Sequence, residues 1–464
     1  MAEEALYTLG PDYYACDAYQ DLDTGNRQSV IDMARKMAEL TIPSVFPPEG
    51  YKSGDPLPGN NQSIGAMALN TLTSMLMFMA FPPGQPIMRL KPIEFRIQSE
   101  VDADPELYAN VLLAMSRLEL AHRELLQTTS IATAYTGYIK LLLVAGNGLW
   151  KHLKRKSPTY RRPDSYVVKR AADGTPLLTI DKETVSLDTL DKDHQDLIKE
   201  KKGAEWSEGK KDWELEVDVY SICKLRTDSK GEQSWLFWQE CEKTTLPDSE
   251  VETDYDAPPM WPGWLIPVYG DNWGRGYCEE YRGDLYTLEA HASALNDGAS
   301  LAALSLILVK PGGPSLKAIR EARNLSTLSG QEGDLSVFRT DKSADFNFVA
   351  NNLEQVARRV SAAFLMQTSI QRSGERVTAE EVRRVGQELD KALGGLYTQI
   401  AQGNQKVCIV RAVRLNEDEF PDLPEIPREV VEIQVITGID ALGQSTEADA
   451  LQEYAAAGIQ AFPT

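Results

Sequence analysis

A chain of 464 residues, 42% hydrophobic and 25% charged, has room for several domains around substantial cores. Its 69 acids against 48 bases leave a formal charge of −21, which excludes a protein that coats nucleic acid through a broad basic surface; any contact with a polyanion has to be local. Five cysteines (Cys16, Cys223, Cys241, Cys278, Cys408) stand far apart without a CxxC pair, so neither a disulfide framework nor a zinc cluster is suggested, and a reducing cytoplasm suits them.

The opening MAEEALYTLGPDYY lacks the basic start and apolar run of a signal peptide. Apolar spacing predicts helices over 28–40, 63–81, 105–127 and 131–144. Pro43, Pro47 and Pro48 close the first, and Pro82, Pro83 and Pro86 the second, because proline lacks the amide a continuing helix needs. The most apolar run, LNTLTSMLMFMAF at 69–81, is about half the length of a bilayer crossing and carries Asn70, Thr71, Thr73 and Ser74, so it reads as a buried core helix. Between 160 and 268 the period becomes that of strands. SYVVKR, an Asp173-Gly174 turn and PLLTI make a hairpin signal, which ELEVDVYSICKL and SWLFWQE extend into a sheet. Residues 187–211 are charged and poor in apolar side chains, and read as an exposed insertion.

From Glu279 the pattern is helical again. Leu285, Leu288, Ala292, Leu295, Ala299, Ala302 and Leu306 recur at spacings of three and four, a heptad seam along a helix over 279–308 that would be roughly 45 Å long. The mixture of leucine with alanine lets neighbouring helices approach closely. Pro311, Gly312, Gly313 and Pro314 stop it. LSVFRT and DFNFVA then read as strands, and a second helix begins near Asn352 with Leu353, Val356, Val360 and Phe364 on one face. QTSIQRSGER is a polar loop. Thr378 and Glu381 form a capping box that starts a helix striped by Val382, Val385, Leu389, Leu393, Leu396 and Ile400. Gly394 and Gly395 interrupt it, each at a cost of about 1 kcal/mol relative to alanine, which points to a kink or a close packing point. VVEIQVITG reads as a strand, EADALQEYAAAG as a short helix, and the acidic run Glu417, Asp418, Glu419 and Asp422 as exposed surface.

No catalytic constellation emerges, and neither an enzyme, a metal nor a cofactor is expected. His122, His152, His194 and His291 have no metal-ligand spacing and read as surface or helix-face residues. KPGGPSLK departs from the order of a Walker loop, and WGRGYCEE is half of a GxGxxG. Cys278 is flanked by Glu279 and Glu280, like charges that oppose a thiolate.

Six segments together resemble the portal, or head-to-tail connector, family of short-tailed double-stranded DNA bacteriophages. They are SIGAMALNTLTSMLMFMAFPPGQPIMRL (63–90), KLLLVAGNGLW (140–150), SYVVKRAADGTPL (165–177), GRGYCEEYRGDLYTLE (274–289), QRSGERVTAEEVRRVGQELDKALGGLY (371–397) and ITGIDALG (436–443). They span most of the chain, in the family's order. The resemblance implies an α+β, mainly helical portal fold: a wing over 1–277 with a helical part (1–158) and a β-rich part (159–277), a first stem helix at 278–309, a small α/β clip at 310–350, and a second stem helix at 351–367. A channel loop and kinked wing helix would occupy 368–403, and a C-terminal wing or crown-like region 404–464.

The implied function is structural. Rings of about twelve subunits at the capsid vertex conduct double-stranded DNA during packaging and ejection, docking the terminase large subunit and later the tail adaptor, with major capsid and scaffolding proteins as further partners and no membrane. The protein would reside in the virion at the head-tail vertex after assembly in the host cytoplasm. The resemblance places Gln371, Arg372, Ser373, Gly374, Glu375 and Arg376 in the channel loop. Arg372 and Arg376 either contact DNA or pair with Glu375; Arg383 and Arg384 either bridge subunits or contact DNA. Lys310, Lys317, Arg320 and Arg323 make the clip basic, either as solvated ends or as a motor and tail interface. The rival readings are another virion structural protein, such as an adaptor or scaffold, and an enzyme with an unrecognised site.

Overall fold

The computed structural model describes residues 6–23, 25–81, 87–93, 105–128, 130–203, 206, 209–303, 306–309, 321, 335–338, 343–366, 396–420, 426 and 431–435. The chain opens with α1 (Ala15–Leu22), α2 (Gly25–Leu40), α3 (Ile64–Ala80), β1 (Met88–Pro92), α4 (Pro105–Thr128) and α5 (Ile131–Ala145). Tyr135, Tyr138, Ile139, Leu141, Leu142 and Leu143 of α5 are buried where it packs against α2 and α3, while Ala132 and Thr133 in its first turn are exposed. Each such side chain removed from water contributes about 1.5–3 kcal/mol. The apolar run at 69–81 is part of this core, as expected, and no helix among the described residues is long and apolar enough to cross a membrane.

Gly146 ends α5 in the left-handed region (φ 72°), its amide reaching Leu142 O at 2.9 Å. The chain then enters a three-stranded antiparallel sheet of β2 (Asn147–Lys151), β3 (Thr159–Arg161) and β10 (Met260–Trp264), ordered β10-β2-β3. The larger sheet holds β4 (Tyr166–Arg170), β5 (Pro176–Ser186), β6 (Glu216–Thr227), β7 (Gln233–Cys241), β8 (Thr244–Thr245) and β9 (Val251–Asp254), every pairing antiparallel. The Asp173-Gly174 hairpin forms as predicted, with the Asp173 carboxylate accepting the Thr175 amide at 2.9 Å. Both sheet faces are covered, which the period of two makes visible. Tyr166, Val168, Cys223, Trp235 and Phe237 face one core, while Val167, Ile180, Ile222, Leu236 and Trp238 face another that α1 closes.

Residues 187–211 depart from the expectation of a solvated insertion. They carry α6 (Lys192–Lys202), and Leu187 and Ile198 are fully buried against Leu215, Val217, Val219, Cys241 and Leu246. A few apolar residues on one helix face are enough to seat the segment on the sheet, although its average composition is that of a surface loop.

The remaining elements are α7 (Tyr277–Glu280), α8 (Arg282–Ala303), β11 (Leu306–Val309), β12 (Leu335–Phe338), α9 (Ser343–Ala363), α10 (Leu396–Ile400), a π-helical turn (Ala401–Gln405), α11 (Lys406–Glu419) and β13 (Val431–Val435), which pairs with β1. Helices and antiparallel sheets together make the chain α+β, as read. Three boundaries differ. The helix expected to reach 308 ends at Ala303, and Leu306 opens β11, paired with β12, so its heptad spacing from Ala302 is coincidental. DFNFVA is helical: Phe346, Val349, Leu353, Val356 and Val360 continue the spacing of three and four upstream of Asn352, and the local alternation of Phe346 and Phe348 imitates a strand. The helix expected to stop at Gly403 runs on through the π turn to Glu419.

Candidate assembly surface and buried helix anchor

α8 and α9 lie side by side. Leu285, Leu288 and Ala292 of α8 and Val356, Val360 and Phe364 at and beyond α9 supply buried side chains to the core, with Leu353 packed against it. Polar pairs fix the register: Arg359 donates to both Asp284 oxygens (2.7 and 3.4 Å), and Asn352 Nδ2 to His291 Nε2 (3.0 Å). The Asp284 carboxylate raises the Arg359 pKa. At the base, the Tyr277 hydroxyl donates to Ala363 O at 3.0 Å, and the rings of Tyr277, Tyr281 and Phe364 stand 5.1–5.5 Å apart. Glu289 reaches across to the start of α3, accepting the Asn61 amide at 2.9 Å and its side-chain Nδ2 at 2.8 Å. The pair is thus clamped to the helical core.

The predicted seam therefore serves a partner within the chain. Leu285, Leu288 and Ala292 are buried, Leu295 is half-buried, Ala299 is exposed, Ala302 lies in α8 and Leu306 in β11. Large apolar groups remain on the outside instead: Tyr286 is 68% exposed and Phe348 74%. Heptad logic selects only inward positions, so neither residue stood out in the sequence.

The second feature is the anchor of the helix α10–α11. Leu396, Tyr397, Ile400 and Ala401 are buried, and the π turn that follows puts two buried amides in sequence. Asn404 accepts the Tyr138 hydroxyl at 3.1 Å and donates to Trp264 O at 3.1 Å; Gln405 donates to Ala80 O at 2.7 Å; Trp261 Nε1 donates to Gly403 O at 2.9 Å. Gly263 is required beside them, because a Cβ there would lie 1.9 Å from the Tyr138 hydroxyl. The sequence signal was available: the polar stretch Gln402-Gly403-Asn404-Gln405 interrupts an apolar stripe. Asn404→Ala is expected to cost about 2 kcal/mol in a urea melt by removing the donor to Trp264 O and leaving the Tyr138 hydroxyl only its longer contact with Gly148 O at 3.4 Å; an unchanged midpoint would remove the amide from this role.

Buried polar groups correct other readings. His122 is fully buried with neither ring nitrogen bonded, and His152 is 6% exposed, so two of the four histidines are interior. Burial depresses the His122 pKa and takes that of His152 to about 4, with the Arg411 charge adding to the latter. The Glu417 side chain is only 6% exposed; it pairs with Arg414 at 3.0 Å and accepts the Ile426 amide at 2.8 Å, so the acidic run is not uniformly surface. The Cys278 thiol is pushed up to about 12 by burial rather than by its flanking carboxylates. The glycines of WGRGYCEE serve packing: a Cβ on Gly276 would sit 2.5 Å from Val144 O. Gln371, Arg372, Ser373, Gly374, Glu375, Arg376, Arg383, Arg384, Gly394, Gly395, Lys310, Lys317, Arg320 and Arg323 lie outside the described residues.

The clamped helix pair leaves the aromatic side chains of Tyr286 and Phe348 exposed. Residues 17–462 match the family described as bacteriophage head to tail connecting protein, and the chain belongs to that family. It is similar to the portal protein of Enterobacteria phage T3, 32% identical over 458 residues that cover 97% of this chain and 83% of that protein. It is also similar to the portal protein of Escherichia phage T7, 31% identical over 425 residues (90% and 77%), and to that of Enterobacteria phage SP6, 27% identical over 436 residues (92% and 80%). Among solved structures, the neck of an empty gene transfer agent particle aligns with a TM-score of 0.40 and 13% identity over 96% of this chain and 95% of that one.

Proposed function

We propose that the chain closes into a ring of about twelve copies at the capsid vertex, conducts double-stranded DNA during packaging and ejection, and docks the terminase large subunit and then the tail adaptor. Membership of the connector family supports the class, and the observation that carries the assembly is the face of α8 and α9. A pair whose seam is satisfied internally still presents Tyr286 and Phe348 to water, and exposed aromatics on a rigid pair suit a head-to-tail contact repeated until it closes. Residues 278–309 and 351–367, which include most of α8 and α9, correspond to the stem, residues 310–350 to the clip with its basic Lys310, Lys317, Arg320 and Arg323, and the wing faces the major capsid and scaffolding proteins.

In this reading the loop Gln371–Arg376 projects into the channel, and the helix behind it, with Gly394-Gly395 as its proposed kink, leads into the anchored π turn and α11. A net acidic conduit lets DNA slide, since each phosphate neutralised adds affinity and drag, so cations belong only where the duplex is gripped. Arg372→Ala combined with Arg376→Ala is expected to leave ring assembly intact and lower packaged DNA in a packaging assay. Full packaging with normal infectivity would rule out a necessary DNA role for these arginines.

A further inference from the structure

We propose that the turn joining β2 to β3, carrying Lys154, Arg155 and Lys156, is a second contact site for the phosphates of double-stranded DNA, separate from the channel loop; this rests on the portal reading above. The segment 154–162, KRKSPTYRR, holds five bases and no acid in a chain whose net charge is −21. Two of the five are committed to internal pairs. Arg161 bonds Glu183 and lies 3.6 Å from Asp181, while Arg162 pairs with Asp164 at 3.3 Å and lies over the Phe46 ring. Lys154, Arg155 and Lys156 are exposed, and none has a carboxylate partner for its side chain among the described residues.

The backbone supplies an independent reason to read them as more than a solvated turn. Arg155 sits at φ 57°, a conformation that glycine or asparagine fills with less strain and that costs an ordinary residue about 1–2 kcal/mol. A turn selected for shape alone would carry glycine there. The strain is held in place: the Arg155 amide donates to Glu419 Oε1 at 2.6 Å and the Lys156 amide to Leu153 O at 3.2 Å. The nearby Glu419 carboxylate thus serves a backbone amide. The base is rigid as well, because all five residues of β2 are buried and Lys151 is locked to Asp181 at 2.9 Å.

Three unpaired cations on a fixed turn suit a polyanion read without sequence. Long flexible ammonium and guanidinium arms neutralise phosphates and let them exchange, which is what a moving duplex needs. In a ring, each copy adds the same cluster at the same height, so weak contacts sum around the circle. Outside such patches the acidic surface repels DNA.

The test is a titration of the purified assembled protein with a fluorescent duplex of about 30 base pairs between about 50 and 200 mM salt. The parent is compared with Lys154→Ala/Arg155→Ala/Lys156→Ala and with the single Arg155→Gly, which relieves the backbone while deleting the guanidinium. The triple variant is expected to bind about tenfold more weakly, with the salt slope reduced by about 0.9 for each phosphate that is no longer neutralised. Arg155→Gly is expected to bind more weakly while melting no lower than the parent. Unchanged affinity and slope in both variants, no binding by the parent at the lowest salt, or tighter binding of a hexaglutamate peptide than of the duplex would each overturn the proposal, the last by assigning the turn to an acidic protein partner. Native mass spectrometry of the same samples reads ring formation separately. A parent that never closes into rings counts against the portal reading, and its duplex titration still decides the role of the turn.

Discussion

Gly146→Ala is expected to destabilise the protein by more than about 4 kcal/mol and to yield mostly insoluble chain. Two effects add. The residue is at φ 72°, where a side chain costs about 1–2 kcal/mol. The larger effect is steric, since a Cβ at this position would lie 2.2 Å from the Arg275 carbonyl carbon and 2.4 Å from the Gly276 nitrogen. These are backbone atoms that cannot rotate away, and they belong to the strand-to-helix connection leading into α7 and α8. Gly50 is the control: its φ is 75°, in the turn closed by the Tyr51 amide and Pro48 O, and nothing lies within 4 Å of where a methyl group would be added, so Gly50→Ala carries only the backbone cost of about 1 kcal/mol. Urea denaturation of the two variants separates the effects. Midpoints within about 1 kcal/mol of each other would show that the α5–β2 corner yields more easily than its packing suggests.

The second large effect concerns acid. His152 is buried beside Arg411, and its pKa in the fold is about 4 against 6.5 in the open chain. Between those values the unfolded chain binds a proton that the folded chain refuses, so stability is complete above about pH 6.5, falls as pH drops, and levels off near pH 4. At about 1.4 kcal/mol per pH unit the loss is about 3 kcal/mol. His122, depressed in the same direction by burial, adds to it. Replacing His152 with glutamine removes this titration, so the difference in unfolding free energy between parent and His152→Gln should change by about 3 kcal/mol from pH 7 to pH 4. A difference that stays constant over that range would mean that the ring is protonated without penalty, through water reaching its unbonded Nδ1.

Much of the fold was legible because its signals are local. The Asp173-Gly174 turn, the alternation in β6 and β7 and the apolar periodicity of α2, α3 and α5 each carry their own physical cause within about a dozen residues. The misreadings arise where tertiary context decides. Ile198 looks isolated in a charged run until the sheet provides Val217 and Cys241 to receive it. Phe346 and Phe348 alternate like a strand, yet Phe348 is exposed while Phe346 is half-buried on a helix face. His152 and Glu417 carry no sequence mark of burial, since what hides them comes from distant segments.

The outward side of α8 and α9, on which the proposed ring contact rests, was the least legible part. Spacing of three and four identifies Leu285, Leu288 and Ala292 as a seam but cannot say whether its partner is the chain's own α9 or a neighbouring subunit. Once α9 fills that role, the outward Tyr286 and Phe348 become the groups that need an explanation.

Ring closure through the outward face of α8 and α9 is read most directly by native mass spectrometry with electron-microscope class averages of the purified protein, alongside the variant Tyr286→Glu/Phe348→Glu. Closed rings of about twelve copies with an open centre wide enough for duplex DNA are expected from the parent, and monomers from the charged variant. A parent protein that remains monomeric or dimeric, or a charged variant that closes as readily as the parent, would contradict ring assembly through this face.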